Sequence, residues 1–548
     1  MNLKEELKII LRGEVEDSPD ILKEYSRDAS LFELKPRLVV FPKDTEDVKS
    51  LVRFAKEHPE ENLSLTVRAG GTDMTGGPLT KSIVVDMARH FNSIFEISKD
   101  AARVQPGVWY RDFEKEAAKQ NLLLPSYPAS KDICTLGGMV ANNAGGEKSL
   151  SFGQTEDYVI ELKMVLFDGE EHTIKPLSLK ELNEKMALEG FEGEFYQKLF
   201  KLVEENKSLL ASAKPKVSKN AAGYYLWNVW NGTTFDLTKL FVGSQGTLGI
   251  ITEITFKLVT PKKHSALLIL FLYNFAPLAK LTQKLLKHKP ESLESYDDHT
   301  LQFAITHIPD FVKLLKGNII TLAFQFIPEF IMFLKGGLKF PKLIVLAEFT
   351  GDSEEEIYKK AEAAKRDLTG FKMQMRIAKS DKEELKYMTV RRQSFNLLRH
   401  HAKGKRTASF IEDIIVPPET LPEFLPKLRY ILAKYQKNLV YTIVGHVGNG
   451  NFHIIPLMDL RKEENRALIP SLMEQVHALV FEYGGSMTAE HNDGIIRTPF
   501  LEDMFGKEVV KLFSQTKRVF DPQDIFNPGK KTNGDLEFAL AHISLKNK

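Results

Sequence analysis

Two short segments near the C-terminal end carry residues that could bind a metal ion. GHVGNGNFH spans residues 445–453, and MTAEH spans residues 487–491. His446 and His453 flank a Gly-Asn-Gly-Asn loop between two apolar runs, a pattern typical of a β-hairpin. Residues equidistant from a hairpin's centre lie opposite each other on one face, with Cβ atoms about 5 Å apart. We therefore expect the two imidazoles to face each other and share one cation.

Glu490 and His491 complete a catalytic pattern beside this hairpin. A His/His/Glu set made by His446, His453 and Glu490 suits a catalytic Zn²⁺, Mn²⁺ or Fe²⁺ ion with one position open for substrate. His491 is then free to move protons. The alternative interpretation is that the loop is only a turn and both histidines are polar surface residues. The adjacent Glu-His pair favours the metal site.

The composition excludes several classes of protein. The 548 residues are 43% apolar and 27% charged, which is ordinary for a globular protein and predicts two or three domains. The net charge of +2, from 75 basic and 73 acidic residues, gives no basic field for nucleic acid. The single Cys134 excludes intrachain disulfides and cysteine-ligated iron–sulfur clusters and fits a reducing compartment. We expect a cytoplasmic protein with no nucleic-acid partner.

The order of predicted elements indicates two kinds of architecture. Strands at 38–41, 63–67, 83–86 and 249–258 alternate with helices, the first of which is capped by Asp44. Pro261-Lys262-Lys263 predicts a boundary. Beyond it, strands at 266–272, 343–348 and 410–416 mix with helices at 353–367, 418–435 and 464–483, an α+β pattern. The last helix should end at Gly484-Gly485 and lead the chain to Glu490-His491.

Clusters of glycine predict a site for a phosphate and a flat ring. No Rossmann fingerprint and no P-loop is present. RAGGTDMTGG at 68–77 follows a predicted strand, and its small residues let successive backbone N–H groups turn toward a pyrophosphate. The segments 125–159 and 241–258 place further small residues before apolar runs, which leaves room for a ring close to the backbone.

These motifs together resemble the flavin-dependent dehydrogenases of the vanillyl-alcohol-oxidase (PCMH-type) superfamily, in the D-lactate, glycolate and D-2-hydroxyglutarate dehydrogenase branch. The resemblance covers about residues 35–533, through VRAGGTDMTGG, PASKDICTLGGMVANNAGG, SKNAAGYYLW, GSQGTLGIIT, GHVGNGNFH, TAEHNDG and FDPQDIFNPGKK. It implies an α+β class with a split PCMH-type FAD-binding fold of two subdomains and an inserted ferredoxin-like substrate (cap) domain. The implied parts are an FAD-binding domain at 1–260, a cap at 261–485 with an apolar insertion near 303–342, and a C-terminal return at 486–548.

The resemblance also assigns FAD contacts by position: a pyrophosphate loop, a group that lines the flavin, and two residues against its ring or adenine portion. These are Arg68, Ala69, Gly70, Gly71, Thr72, Asp73, Met74, Thr75 and Gly76; Pro128, Thr135, Gly138, Asn142 and Gly145; and Ile250 and Ile251.

Four positions depart from the family pattern. Thr72 stands where covalently flavinylated relatives carry His, and Cys134 is off register for a thioether link, so we expect noncovalent FAD. Gln245 replaces the usual Glu of the glycine motif, Asn449 replaces the usual acid of the hairpin, and Asn492 replaces a Gly after Glu-His. None of these changes removes a predicted ligand.

The predicted reaction is the oxidation of a D-2-hydroxy acid to the 2-keto acid. The substrate must lose its O–H proton and its C2 hydride, and flavin N5 accepts the hydride in relatives. The metal would lower the hydroxyl pKa, and His491 would act as general base. Arg391, in YMTVRRQSF, matches the family's substrate arginine and offers a bidentate fork to the carboxylate. Arg392 is the alternative for this role. The competing interpretation is that both arginines lie on a solvated helix face and have no role in binding.

Other readings stay open at this stage. Lys219 and Asn220 are candidates for the edge of the substrate pocket. A flavin transferase similar to alkylglycerone-phosphate synthase, a non-redox metallohydrolase using only the metal trio, and a noncatalytic membrane-binding module are the alternative functions.

The apolar segment 311–334 predicts a peripheral membrane contact. Lysines bracket it, and Pro328 and Glu329 interrupt it, so it is too broken to span a bilayer but suits an amphipathic helix at the interface. Such attachment, on the inner face of the membrane, would bring the flavin near a quinone; an electron-transfer flavoprotein or a cytochrome is the alternative acceptor. The competing explanation is that these apolar residues pack in the protein core or at an oligomer interface.

Overall fold

The computed structural model describes residues 2–306, 340–401 and 404–546. The segment 311–334, for which a membrane contact is predicted, lies outside these ranges. Among the described residues, none of the helices combines the length and the apolar character that crossing a membrane requires.

The first sheet positions the glycine-rich loop. Its strands, in spatial order, are Glu14–Glu16, Leu38–Phe41, Ile83–Asp86 and Leu65–Arg68, and the last three run parallel. Their apolar runs are buried on both faces, as parallel strands require. The predictions at 38–41 and 83–86 are confirmed, and the one at 63–67 begins two residues later.

The helix Thr45–Glu57 packs on this sheet. The side chain of Asp44 accepts hydrogen bonds from the backbone N–H groups of Glu46 and Asp47, at 3.1 and 3.3 Å, so the predicted cap is confirmed. Apolar residues at helical spacing bury one face against the strands. The other helices of this region are Leu3–Ile10 and Pro19–Glu24.

A second, antiparallel sheet has five strands: Ile94–Ile97, Ala101–Val104, Ile250–Lys257, Val159–Val165 and Glu171–Ile174, in spatial order. A short pair, Leu177–Ser178 with Thr234–Phe235, lies beside it. The associated helices are Tyr110–Ala118, Leu136–Asn142, Ser149–Phe152, Leu179–Met186, Phe191–Glu205, Lys207–Ala213, Leu226–Val229 and Thr238–Phe241.

The third sheet has eight strands and carries the histidine hairpin. In spatial order they are Gln374–Ile377, His264–Leu272, Leu343–Gly351, Ser292–Asp297, Leu439–His446, Asn451–Met458 and Arg406–Thr407, with Ile414–Ile415 also paired to Asn451–Met458. Alternate residues of His264–Leu272 enter two different apolar clusters, which is the period of two expected of a strand buried on both faces. The strand predicted at 410–416 is wrong except for Ile414–Ile415.

Helices cover both faces of this sheet. They are Leu278–Lys287, Asp298–Thr306, Glu354–Asp367, Asp381–His401, Leu421–Ala433, Glu463–Arg466 and Leu468–Glu482. The last ends as predicted: Gly484 has φ +69, and the N–H of Gly485 donates to Val480 O at 2.9 Å. The chain then passes to Glu490 and His491.

The C-terminal segment returns to the first sheet. Its helices are Gly494–Arg497, Leu501–Phe505, Lys507–Phe520 and Leu536–Ala541. Phe526 forms a bridge with Leu65, and buried Lys517 donates to the backbone carbonyls of Thr247 and Phe526, at 2.8 and 2.6 Å. Residues that precede the third sheet in the sequence and residues that follow it therefore contribute to one region around the glycine-rich loop.

Candidate active site

The two hairpin histidines are diagonal neighbours rather than a facing pair. His446 pairs with Asn451, and His453 pairs with Val444, so the predicted direct opposition is wrong by two residues in register. The reason is that the loop comprises residues 447–450, with Gly450 at φ +76, and Asn451 already belongs to the strand. Residues two apart in a strand share a face, so both imidazoles still project to one side, with ring centroids 5.3 Å apart.

Glu490 joins these histidines from the segment that follows the helix Leu468–Glu482. One ligand atom from each of His446, His453 and Glu490 lies within 4.8 Å of the others. The Nε2 atom of His446 is 3.3 Å from Glu490 Oε1. Two imidazoles and one carboxylate form a donor set that fits a divalent transition metal with an open position.

Each histidine of the site has a carboxylate beside its Nδ1 atom. The distances are 2.6 Å from His446 to Glu294 Oε1, 3.8 Å from His453 to Asp413 Oδ1 and 3.3 Å from His491 to Glu412 Oε1. At His446 and His491 the carboxylate is within hydrogen-bonding distance, so it orients the ring and directs Nε2 to the opposite side, which is a recurrent arrangement around metal-binding histidines.

The sequence analysis did not identify these three carboxylates. Glu412 and Asp413 are adjacent acids inside the apolar run FIEDIIV at 410–416, and both are fully buried. Adjacent buried acids require partners, so this run contained a usable signal of a polar site. Glu294 carried a weaker one, as one of three acids in LESYDD.

Asp413 shapes the segment that carries Glu490 and His491. Its Oδ2 atom accepts three backbone N–H groups, those of Ala489, Glu490 and His491, each at 2.8 Å. It also accepts the Thr488 hydroxyl at 2.7 Å. A second group, Asp413 with His453 and His491, also has metal-ligand spacing. Because Asp413 Oδ2 already has four donors, the trio with Glu490 is the better ligand set.

Burial and charge set the protonation of the site. Burial and the charge of His491 lower the pKa of His453 to about 3, which keeps this imidazole neutral, as metal binding requires. Burial opposes ionisation of Glu490, but Lys219 and His446 outweigh it and hold its pKa well below the usual range. Burial likewise opposes protonation of His491, but Asp413 and Glu412 raise its pKa to about 9. His491 can therefore hold a proton beside the trio.

Arg391 and Lys219 bring positive charge to the trio. Arg391 contacts Glu294 through Nε, and its Nη2 atom lies 3.5 Å from His446 Nδ1. The neighbouring Arg392 instead pairs with Glu147 at 2.9 and 2.7 Å. Lys219, predicted at a pocket edge, is buried and contacts Glu490. Asn220 accepts the Ser486 hydroxyl at 2.8 Å, so it supports this segment.

A cleft of about 830 Å³ lies beside the glycine-rich loop. Ten of the residues predicted to bind FAD line it: Arg68, Ala69, Gly70, Gly71, Thr72, Asp73, Thr135, Gly138, Asn142 and Ile251. The cleft is also lined by residues for which no FAD contact was predicted: Val67, Gly77, Pro78, Met87, Pro106, Gly137, Ala141, Met164, Ser244, Gln245, Gly246 and Gly249.

The other six predicted residues are not part of the cleft lining. They are Met74, Thr75, Gly76, Pro128, Gly145 and Ile250. Ile250 is fully buried in the core beneath the first sheet, because successive residues of a strand point to opposite faces and Ile251 takes the cleft side. The backbone N–H and hydroxyl of Thr75 both donate to Asp73 Oδ1, at 2.7 and 2.8 Å, so Thr75 stabilises the loop from within.

The cleft has the local structure that a dinucleotide needs. An added Cβ at Gly70 would lie 2.7 Å from Ile133 O, and one at Gly137 would lie 2.4 Å from Pro106 Cβ. Glycine is therefore required where the two walls approach each other. Gly71 has φ +64, which shapes the turn that exposes backbone N–H groups to an anion. These residues fit FAD.

The metal trio and the cleft are neighbours. An added Cβ at Gly145 would lie 3.5 Å from Glu490 Oε1, and Gly145 follows the helix Leu136–Asn142 that walls the cleft. The amide of Gln154 donates to Asn143 O at 2.8 Å and to Ala489 O at 3.0 Å. The segment with Glu490 and His491 is thus hydrogen-bonded to the wall of the cleft.

Two family models match the sequence. One is an FAD binding domain over residues 36–175, and the other is the C-terminal domain of FAD linked oxidases over residues 261–531. The chain is 29% identical over 511 residues to the D-2-hydroxyglutarate dehydrogenase of Pseudomonas putida, covering 92% of this chain and 49% of that protein. The chain therefore spans about half the length of this relative.

Two shorter relatives match along most of their length. The glycolate oxidase subunit GlcD of Bacillus subtilis is 29% identical over 515 residues, covering 92% of this chain and 91% of the relative. The D-lactate dehydrogenase of Anaerostipes hadrus is 25% identical, covering 90% and 89%.

Solved structures share the fold. p-Cresol methylhydroxylase with bound substrate superposes with a TM-score of 0.66 at 15% identity, covering 97% of this chain and 96% of that one. Alkyldihydroxyacetonephosphate synthase gives 0.64 at 17% identity, covering 96% and 84%. The predicted α+β class with a PCMH-type FAD-binding fold is confirmed.

Proposed function

The chain belongs to the FAD-linked oxidases, and we propose that it is a dehydrogenase that oxidises a D-2-hydroxy acid to the corresponding 2-keto acid. D-Lactate, glycolate and D-2-hydroxyglutarate define the range of substrates, because relatives are named for these acids. The reaction removes the hydroxyl proton and a hydride from C2. FAD in the cleft supplies the acceptor for that hydride.

The trio supports the removal of the hydroxyl proton. A divalent transition metal held by His446, His453 and Glu490 would supply the Lewis acidity that lowers the pKa of the α-hydroxyl. His491 lies beside the trio, with its ring stacked at 5.1 Å from that of His453. The positive charge of a bound divalent ion would lower the pKa of His491, so that its neutral ring can take the hydroxyl proton. Glu412 on its Nδ1 orients the ring for that transfer.

Arg391 supports recognition of the carboxylate. Its Nε atom contacts Glu294, and its Nη2 atom lies 3.5 Å from His446 Nδ1, so the guanidinium lies beside a predicted metal ligand. A guanidinium fork matches a carboxylate in geometry as well as charge. Arg392 is already paired with Glu147, so Arg391 is the better candidate of the two. Lys219 adds a second positive group at Glu490.

One observation carries the proposal: the metal trio lies against the wall of the FAD cleft, with Gly145 between Glu490 and the cleft helix. A metallohydrolase would need the trio but not a neighbouring dinucleotide cleft. A single small acid can reach both groups only where they adjoin. We propose that electrons then leave to a quinone, an electron-transfer flavoprotein or a cytochrome, with membrane contact through residues 311–334.

The decisive experiment is anaerobic reduction of the bound flavin by a panel of D- and L-2-hydroxy acids. We expect bleaching of the yellow absorbance by a D-acid, with one equivalent of 2-keto acid formed per flavin. Protein that is bleached by dithionite but by no hydroxy acid would contradict the proposal. A colourless protein that retains the metal would favour the metallohydrolase instead, and a yellow one that exchanges an acyl for an alkyl group would favour the flavin transferase.

A further inference from the structure

Two buried side-chain amides connect the FAD cleft to the segment that carries His491. Gln245 and Asn492 have φ values of +54 and +70, in the left-handed region where glycine is the favoured residue. Both are buried, with 6% and 0% of their surface exposed. A side chain retained in an unfavourable backbone conformation indicates that its contacts matter.

Gln245 joins the cleft to the start of the helix Gly494–Arg497. Its Oε1 atom accepts the N–H of Gly494 at 2.8 Å. Its Nε2 atom lies 3.4 Å from Asp73 Oδ2 and 3.3 Å from Asn142 Oδ1. Gln245, Asp73 and Asn142 all line the cleft. One amide thus contacts the glycine-rich loop, the cleft wall and the segment after His491.

Asn492 makes the second connection, one residue from His491. Its Nδ2 atom donates to the backbone carbonyls of Asn142 and Gly243, at 3.2 and 2.9 Å. Its Oδ1 atom accepts the N–H of Asp493 at 2.7 Å. Asn142 is therefore held from two sides, by Gln245 on its side chain and by Asn492 on its carbonyl.

We propose that Gln245 and Asn492 form an amide bridge that couples occupancy of the FAD cleft to the position of residues 490–494. FAD in the cleft would contact the wall that contains Asn142 and Gln245, and oxygen atoms of that wall accept the hydrogen bonds that Gly494 and Asn492 donate. Binding of FAD then favours an ordered segment 490–494, and an ordered segment 490–494 favours binding of FAD. The two amides are positioning residues; their importance for catalysis rests on the proposed function of His491, but the coupling itself does not.

Hydrogen–deuterium exchange of residues 486–497 tests the bridge without any substrate. Apoprotein and FAD-loaded protein are compared for the unmodified chain and for Asn492→Gly, which removes the amide and suits the left-handed backbone. FAD should slow exchange in the unmodified chain, and Asn492→Gly should lose this protection. Coupling is reciprocal, so titration of the apoprotein should show FAD binding weakened by about tenfold in Asn492→Gly.

Asn143→Gly is the matched control. Asn143 is also buried in a left-handed conformation, at φ +54, but its amide contacts Tyr225 and Glu156 rather than the 490–494 segment. This variant should keep the FAD-dependent protection. Equal exchange with and without FAD in the unmodified chain would overturn the proposal, and so would protection that survives in Asn492→Gly or is lost equally in Asn143→Gly.

Failure of the bridge and failure of the proposed function give different results. If protection responds to FAD as expected but no 2-hydroxy acid bleaches the flavin, the dehydrogenase assignment fails and the bridge stands. If a D-acid bleaches the flavin but residues 486–497 exchange identically in all four states, the bridge fails and the dehydrogenase assignment stands.

Discussion

The Nδ1 atom of His446 lies 2.6 Å from the Oε1 atom of Glu294, and the other oxygen of the same carboxylate contacts Arg391. The contact follows from strand register: Ser295 pairs with Gly445, which brings Glu294 against His446. Burial opposes ionisation of Glu294, but Arg391 and His446 outweigh it and lower its pKa. One buried anion thus orients a predicted metal ligand and the predicted substrate arginine.

Replacing Glu294 by Gln should weaken metal binding without removing a ligand. Loss of a partner on a ligating histidine costs about 10–100-fold in metal affinity, whereas His446→Ala should abolish binding and activity. Zn²⁺ competition against a chromophoric chelator measures both. Glu348→Gln is the control: it changes a partly buried carboxylate on the adjacent strand Leu343–Gly351, which accepts a hydrogen bond from Ser292, and this variant should bind metal normally. Active protein without a bound transition metal would contradict the metal site.

His491→Ala should abolish turnover and leave FAD bound. A general base contributes about 10²–10⁴-fold to rate, and the anaerobic rate of flavin reduction should fall by that factor. The flavin absorbance per protein is the internal control, because His491 is not part of the cleft lining. Full activity in this variant would remove His491 from the mechanism.

Arg391→Lys should raise KM and lower kcat/KM by about tenfold to a hundredfold. Lysine keeps the positive charge but loses the bidentate guanidinium fork. A hydrogen bond to a charged group contributes about 1.5–3 kcal/mol, which sets the size of the loss. The concentration dependence of flavin reduction measures this change. Arg392→Lys is the matched control, since Arg392 pairs with Glu147 and its change should leave kcat/KM nearly constant. If Arg392→Lys has the larger effect, the roles of the two arginines are reversed.

FAD should be released by acid precipitation. Thr72, on the cleft lining, has no imidazole to form a flavin bond. Cys134 is 4% exposed, and burial raises the pKa of its thiol to about 12, which leaves little of the reactive thiolate. After treatment with trichloroacetic acid the supernatant should be yellow. A yellow pellet would show a covalent link.

His172 should make stability depend on alkaline pH. It lies 2.8 Å from Asp168 and 3.7 Å from Glu192; burial opposes its protonation, but these carboxylates raise its pKa to about 9 from the ordinary 6.5. A raised pKa contributes stability that is complete below 6.5 and is lost as pH rises through about 9. Its size is about 3 kcal/mol.

Urea unfolding of the unmodified chain and of His172→Gln measures this contribution. The difference in unfolding free energy should be large well below the ordinary pKa of 6.5 and should vanish above about 9. A His172→Gln difference that is constant across this range would contradict the assignment.

Much of the scaffold could be predicted because its signals are local. The cap at Asp44, the strands 38–41 and 83–86 and the end of the helix before Gly484 depend on residues within a few positions of each other. The glycine-rich loop and the histidine motifs are also contiguous, so their chemistry could be inferred before their surroundings were known.

The sequence by itself therefore determined most of the local elements and the glycine-rich loops, and it predicted the candidate metal trio and its neighbouring histidine. Only the tertiary structure decided the hairpin register, the carboxylate behind each imidazole and the place of Lys219 against Glu490. The physical reason is distance along the chain: Glu294 and His446 are 152 residues apart, and Lys219 and Glu490 are 271 apart. Local propensities do not specify such contacts; they form only when packing of three sheets buries charges that must then find partners.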